Sequence, residues 1–302
     1  MEYRQLGRSN LKVSAIGLGA VTFSREIGEA TVFTIMDYAL ERGINLIDTA
    51  EAYNKGGSES VVGNWLKASG KRDRVILATK LIPPLTAERI PQAAEASLRR
   101  LQTDVIDLYQ IHAFDKNTPL DESLAALGKL VEEGKVRHLG CSNFAAWQLC
   151  KALWRAEVNG LPRLESVQPN YNLAIRDIEQ EMLPLCADQQ IGVISYSPLG
   201  AGFLTGKYSK SWTAPQGTRF DIIPDHWAIY ENARSMERME KLRSKAAESG
   251  RSMVQLALAW ILGQPGITST LIGSRSTAHI DQAFEAAAAG MSAELRAEIN
   301  SW

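Results

Sequence analysis

Short apolar runs alternate with longer amphipathic stretches along most of this chain. Compact apolar runs rich in β-branched residues predict strands buried on both faces. Apolar residues three and four apart predict helices packed by one face. The predicted strands are Ala15–Leu18, Asn45–Asp48, Val75–Thr79, Ile106–Ile111, His138–Cys141, Ser166–Gln168, Gly192–Ser195 and Thr270–Ile272. The predicted helices are Thr31–Arg42, Ser58–Lys67, Ile90–Leu101, Asp121–Glu133, Trp147–Glu157, Ile178–Gln189, Met236–Glu248, Met253–Leu262 and Thr277–Ala287. Gly43 after "YALER" and Gly134 after "KLVEE" are stop signals. Eight strands, each followed by a helix, predict a parallel sheet. Eight such units in 302 residues fit a closed (β/α)8 TIM barrel better than an open sheet.

Ahead of the barrel, "YRQLGRSNLKVSAIGLG" predicts a β-hairpin about a Gly-Arg-Ser-Asn turn. A Rossmann sheet would carry GxGxxG after its first strand, whereas "GLGAVTF" lacks the third glycine and "GAGFLTG" is wrongly spaced. Residues Ser209–Tyr230, with proline, glycine and aromatics, read as a functional loop over the seventh strand rather than a linker. Residues 1–302 are therefore expected to form a single domain.

Composition acts mainly by exclusion. The chain is 45% apolar and 22% charged, with a formal net charge of −1. It offers no long-range attraction for nucleic acid or an anionic membrane. The longest strongly apolar run, "VQLALAWIL", is too short to span a bilayer, and "MEYRQLGRSN" has no signal-peptide core. Three cysteines, Cys141, Cys150 and Cys186, with no CxxC fit a reducing, cytoplasmic setting. Four histidines without HxH or HExxH argue against a metal-dependent hydrolase. A small molecule is the expected partner.

In such a barrel, chemistry sits where strands end. Asp48 ends the second strand, and Tyr53 follows in its loop. Lys80 ends the third, and His112 the fourth. Taken singly, these are a turn-forming Asp, a packed Tyr, a solvated Lys and a structural His. Brought to one rim, they have a shared use. Free tyrosine titrates near pH ~10, and a nearby ammonium favours the phenolate. Asp48 can hold Lys80, and His112 can orient a carbonyl oxygen beside Tyr53. This is general-acid equipment for an oxygen that gains negative charge as a carbonyl is reduced.

"GINLIDTAEAYNKGGSE", "VILATK", "DLYQIH", "GKVRHLGCSNF", "VQPNYN" and "ISYSPLGAGFLTGKY" together resemble the aldo-keto reductase superfamily, from about Tyr3 to about Phe284. The resemblance implies a catalytic tetrad of Asp48, Tyr53, Lys80 and His112, with Tyr53 as proton donor and NADPH as hydride source. It implies that Ser142, Asn143 and Gln168 grip the nicotinamide carboxamide and that Tyr196 stacks on the ring. Ser197, Leu199, Gly200, Gly202 and Lys207 would approach the pyrophosphate, with Arg219 as a phosphate clamp. Gly273, Ser274 and Arg275 would take the 2′-phosphate at a helix start.

The adenine end departs from the family pattern. Ile272 stands for a proline, His279 for Gln or Arg, and Gln282-Ala283 for Glu-Asn. Phe23, Phe114, Trp147 and Trp227 are candidate walls of a substrate pocket. Some members of the superfamily are regulatory subunits of potassium channels that hold the cofactor and turn over slowly. A cofactor-binding redox sensor is therefore the alternative to an enzyme.

Overall fold

The structure, a computed structural model, describes residues 1–208 and 214–302. A hairpin of β1 (Tyr3–Gln5) and β2 (Lys12–Ser14) precedes eight parallel strands. These are β3 (Ile16–Gly19), β4 (Leu46–Asp48), β5 (Ile76–Leu81), β6 (Ile106–Ile111), β7 (Val136–Ser142), β8 (Leu164–Gln168), β9 (Gly192–Ser195) and β10 (Ser269–Gly273). They close in sequence order, with β10 pairing both β3 and β9. The (β/α)8 barrel and its hairpin are both as the alternation predicts.

Around the barrel run α1 (Glu29–Glu41), α2 (Gly57–Ser69), α3 (Arg89–Leu101), α4 (Leu120–Glu132), α5 (Ala146–Val158) and α6 (Met182–Gln189). After β9 come the short α7 (Arg219–Ile222), then α8 (Ala233–Ser249) and α9 (Met253–Leu262). After β10 come α10 (Thr277–Ala289) and α11 (Ala293–Asn300). The sixth helix starts four residues later than predicted, because Asp177–Glu179 forms a separate 3-10 turn. Helix α11 was not anticipated. Ser292 caps it by accepting from the Leu295 N–H, and only Ile299 of its residues is buried, which leaves little hydrophobic period to read.

Two apolar layers hold the barrel. The larger lies between strands and helices. The smaller fills the barrel bore, where Leu6, Leu11 and Val13 of the hairpin pack on Leu46, Ala78, Leu108, Ile194 and Leu271. The hairpin thus plugs the end of the barrel at which the strands begin. Gly7 permits this at φ +60, since a Cβ there would come within 2.3 Å of the Glu165 carbonyl.

The same inward faces turn polar toward the other end. Side chains in a strand share a face every second residue. The row that starts with Leu46 therefore continues to Asp48. Ala78 leads to Lys80, and Leu108 leads to Gln110 and then His112. An apolar bore below and a polar layer above is the arrangement that positions the site.

Part of the long segment after β9 packs on itself. Phe203 stacks on Tyr230 at 5.2 Å between ring centroids, Tyr208 meets Phe220 at 4.7 Å, and Phe220 meets Trp227 at 5.0 Å. Such ring contacts give a loop its own small core. Residues 209–213 of the predicted functional loop lie outside the described residues. Among the described residues, no helix is long and apolar enough to cross a membrane.

Candidate active site

A cavity of about 560 Å³ opens at the ends of the strands. Asp48 forms its floor at the end of β4, with Tyr53 beside it on the 3-10 turn Tyr53–Gly56. Lys80 lies beneath them and is wholly buried. It is the reverse of the solvated strand-end lysine that its position alone suggests. Lys80 Nζ donates to Asp48 Oδ1 at 2.5 Å, to the Thr49 carbonyl at 2.9 Å and to the Tyr53 hydroxyl at 3.2 Å. Those three bonds use all the donors an ammonium has. Burial alone would favour neutral Lys80, but Asp48 and Tyr53 offset it, and its pKa is raised overall.

His112 follows β6 and meets Tyr53 edge-to-face, with ring centroids 5.8 Å apart. Burial, and then the Lys80 charge, push His112 down to about 4. The imidazole is therefore neutral at neutral pH. Its Nδ1 is buried without a hydrogen-bond partner among the described residues.

The next strand ends carry an amide and hydroxyl cluster. Ser142 Oγ donates to the Gln168 carbonyl at 2.7 Å, and Asn143 Nδ2 donates to the His112 carbonyl at 3.0 Å. Tyr196 donates its hydroxyl to Asn143 Oδ1 at 2.8 Å. Burial pushes the Tyr196 phenol up, which keeps it a donor. Gln168 directs its Nε2 to Asp48 Oδ2 at 2.8 Å. Ser142, Asn143, Gln168 and Tyr196 all reach the cavity wall.

Beyond Tyr196 the backbone doubles back. Ser197, Gly200, Ala201 and Gly202 all have positive φ, which turns the chain tightly enough to expose its amides. Ser197, Leu199, Gly202 and Lys207 line the cavity. Gly200 does not, since a Cβ there would press on the Tyr230 ring at 3.1 Å. Lys207, Arg219 and Arg275 converge on the same side. Burial lowers the Lys207 pKa, and Arg275 and Arg219 lower it further. Burial likewise lowers Arg219, with Arg25 the next cause.

Glu26 is the counter-charge, 2.5 Å from Arg25, 3.7 Å from Arg275 and 3.8 Å from Arg219. One carboxylate among four crowded cations leaves positive charge for a polyanion to satisfy. Gly273, Arg275, His279 and Gln282 complete that wall. Ser274 is buried behind it, with its Oγ donating to the Ser276 carbonyl at 2.6 Å.

The four aromatic residues expected to wall a substrate pocket do not line the cavity. Phe23 is fully buried. Phe114 packs on Phe144 and Trp147, and Trp227 belongs to the aromatic cluster of its own loop. Phe23, Phe114 and Trp227 found neighbours closer than the rim, whereas Trp147 touches Phe114 at one edge and stays 59% exposed. Val21, Arg25, Ile223 and His226 line the cavity instead. Sequence reasoning missed Glu26 and Arg25, whose partners come from distant loops and leave no local signal. It also missed Gln110, which period two does signal, as a polar residue on the inward face of an apolar strand. Among the described residues, no group of three or more His, Cys, Asp or Glu is placed to hold a metal ion.

Residues 15–302 match the model of the aldo/keto reductase family. The chain is 37% identical to "Uncharacterized oxidoreductase YrpG" of Bacillus subtilis, over 99% of this chain and 95% of the relative. It is 35% identical to "Aldo-keto reductase YhdN" of the same organism, over 100% and 93%. It is 30% identical to a "Probable voltage-gated potassium channel subunit beta" of Arabidopsis thaliana, over 95% and 91%. With the closed barrel and the polar layer at its mouth, these likenesses settle the family: the chain belongs to the aldo/keto reductases, a family of oxidoreductases.

Proposed function

We infer that the protein is an NADPH-dependent reductase of aldehydes or ketones, with Tyr53 as the proton donor. The observation that carries this reading is the Lys80 ammonium, held between Asp48 and the Tyr53 hydroxyl beneath the cavity. A carbonyl oxygen beside Tyr53 takes the phenolic proton as negative charge develops on it. Lys80 favours the phenolate left behind, and Asp48 keeps Lys80 in place. Neutral His112 offers an N–H to the same oxygen without competing for the proton.

The residues at hand fit a nicotinamide dinucleotide phosphate. The buried, unpartnered His112 Nδ1 and the excess of cations at the far wall both call for a ligand that carries polar and anionic groups. Ser142, Asn143 and Gln168 would hold its carboxamide, and Tyr196 its ring. Lys207 and Arg219 would hold the pyrophosphate, and Arg275 the 2′-phosphate. When bound, the dihydronicotinamide supplies the hydride. Three free thiols, two of them buried, support a reducing, cytoplasmic setting, and we read residues 1–302 as one domain acting there on a small molecule.

The test is a panel of aldehydes, ketones and alcohols with NADPH and with NADH, followed by nicotinamide absorbance. NADPH-dependent reduction of some members is expected. The likeness to a channel subunit favours a second reading, a redox sensor. Tight NADPH binding with negligible turnover across the panel would select it and overturn the first.

A further inference from the structure

Asp48 uses its two oxygens differently. Oδ1 accepts from Lys80 at 2.5 Å. Oδ2 accepts two amide N–H bonds, from Gln168 Nε2 at 2.8 Å and from Gln110 Nε2 at 3.0 Å. Gln168 Nε2 also lies 3.3 Å from Gln110 Oε1, so the two amides are tied to each other.

Gln110 is wholly buried on β6, and it does not line the cavity. A primary amide in a barrel core costs free energy unless its hydrogen bonds are made. The neighbouring strand has a glycine beside it, where a Cβ would first meet Ser166 Oγ at 2.4 Å. Gly140 is its register partner on β7, and a Cβ there would lie 3.2 Å from Gln110 Cγ. An apolar side chain would fill that space without the cost, whereas the amide meets it with its bonds to Asp48 and Gln168.

We propose that Gln110 is a positioning residue of the reaction, an amide that fixes the Asp48 carboxylate and the Gln168 amide and so sets how far Lys80 supports proton release from Tyr53. This rests on the reading of Tyr53 as proton donor. Two N–H dipoles at Oδ2 compensate the carboxylate charge on the side away from Lys80. Take one away, and more of the Asp48 charge opposes the phenolate across the Lys80 ammonium. The bond between the amides also orients Gln168, whose Nε2 is committed to Asp48, leaving its Oε1 as the group free to meet a carboxamide N–H. Among the described residues, other charged or titratable groups near Asp48 and Tyr53 include Lys80 from β5, His112 after β6, Tyr196 after β9, Arg219 beyond it, Glu51, whose N–H donates to the Lys80 carbonyl, and Glu59, whose carboxylate accepts from the Thr79 hydroxyl. None of them donates to Oδ2 among the described residues.

The experiment compares wild type, Gln110→Met, Gln110→Glu and Tyr53→Phe. NADPH binding is measured by fluorescence titration, and kcat is measured across pH with the carbonyl that the panel finds most rapidly reduced. Gln110→Met removes the donor at nearly constant volume. Its kcat is expected to fall about tenfold or more, its NADPH affinity to fall by a smaller factor through the loosened Gln168 amide, and the midpoint of its kcat–pH curve to move to higher pH. Gln110→Glu tests chemistry against packing. While protonated, its carboxyl donates to Asp48 as the amide does, and beside another carboxylate it keeps that proton to unusually high pH. It is expected to work near wild-type level at acid pH and to decline toward the Gln110→Met level as pH rises.

Wild-type kcat and pH profile in both Gln110 variants, with Tyr53→Phe inactive, would overturn the proposal and leave the proton donor standing. Full turnover in Tyr53→Phe would overturn both. Should Gln110→Met fail to fold, the pH dependence of Gln110→Glu decides alone.

Discussion

The Lys80 ammonium lies 3.2 Å from the Tyr53 hydroxyl, beneath the cavity that Tyr53 lines. The two residues sit on different units of the barrel, and Lys80 is completely buried. At that distance the ammonium is within direct hydrogen-bonding reach of the phenol oxygen. The first predictions concern this contact.

Tyr53→Phe deletes the hydroxyl and leaves the ring against His112. Turnover is expected to fall by about 10²–10⁴-fold, the usual contribution of a positioned acid. NADPH affinity, measured by fluorescence titration, should stay near wild type. Undiminished reduction by this variant would mean that the proton comes from another group.

Lys80→Met leaves Asp48 buried without its cation. Breaking one partner of a buried pair destabilises by about 3–5 kcal/mol, read as a lower urea midpoint. The double variant Lys80→Met/Asp48→Leu should regain much of that stability while staying inactive. A single variant as stable as wild type would show that the pair contributes nothing to folding.

His112 carries a pH dependence whose sign follows from its burial. Its folded pKa is lowered to about 4, against about 6.5 in an unfolded chain. Between these values the unfolded chain binds a proton that the folded protein refuses. Stability therefore falls as pH drops from about 6.5 toward 4, and is unaffected by this group above that window. In His112→Gln, the loss of stability between pH 7.5 and pH 4.5 should be smaller than in wild type. An equal loss would assign the effect to other groups, among them His226 and His279, which burial also lowers.

Arg275 reaches Glu26 and the Gly217 carbonyl across the mouth of the cavity. Arg275→Ala is expected to weaken NADPH binding roughly 10- to 100-fold, in line with losing a hydrogen bond to a charged group worth ~1.5–3 kcal/mol. NADH binding should hardly change, and the salt dependence of NADPH binding should become shallower. Equal weakening for both dinucleotides would move Arg275 away from the 2′-phosphate.

Gly63 concerns the scaffold. It sits where α2 crosses α3, and a Cβ there would lie 2.2 Å from the Arg100 carbonyl oxygen, a backbone atom that cannot swing aside. Gly63→Ala should cost roughly 1–3 kcal/mol, as overpacking does, measurable as a lower Tm. Wild-type stability would show that the two helices can move apart.

The sequence by itself determined the barrel. Strand and helix periods are local properties, and eight alternations of apolar runs such as "VILAT" with one-sided helices leave few ways to bury every apolar face at once. It also determined which strands end in Asp48, Lys80 and His112, because period two carries an inward face from Leu46 to Asp48 and from Ala78 to Lys80. Helix α11 escaped that reading because its buried face is a single residue.

Tertiary structure alone decided the partners. That Gln110 and Gln168 share Asp48, that Glu26 sits among Arg25, Arg219 and Arg275, and that Phe23, Phe114 and Trp227 turn to packing and Trp147 to solvent instead of the cavity depends on which strand ends and loops meet in space. Hydrogen bonds and ion pairs act over a few ångströms, and the chain brings those groups within reach only by closing the barrel.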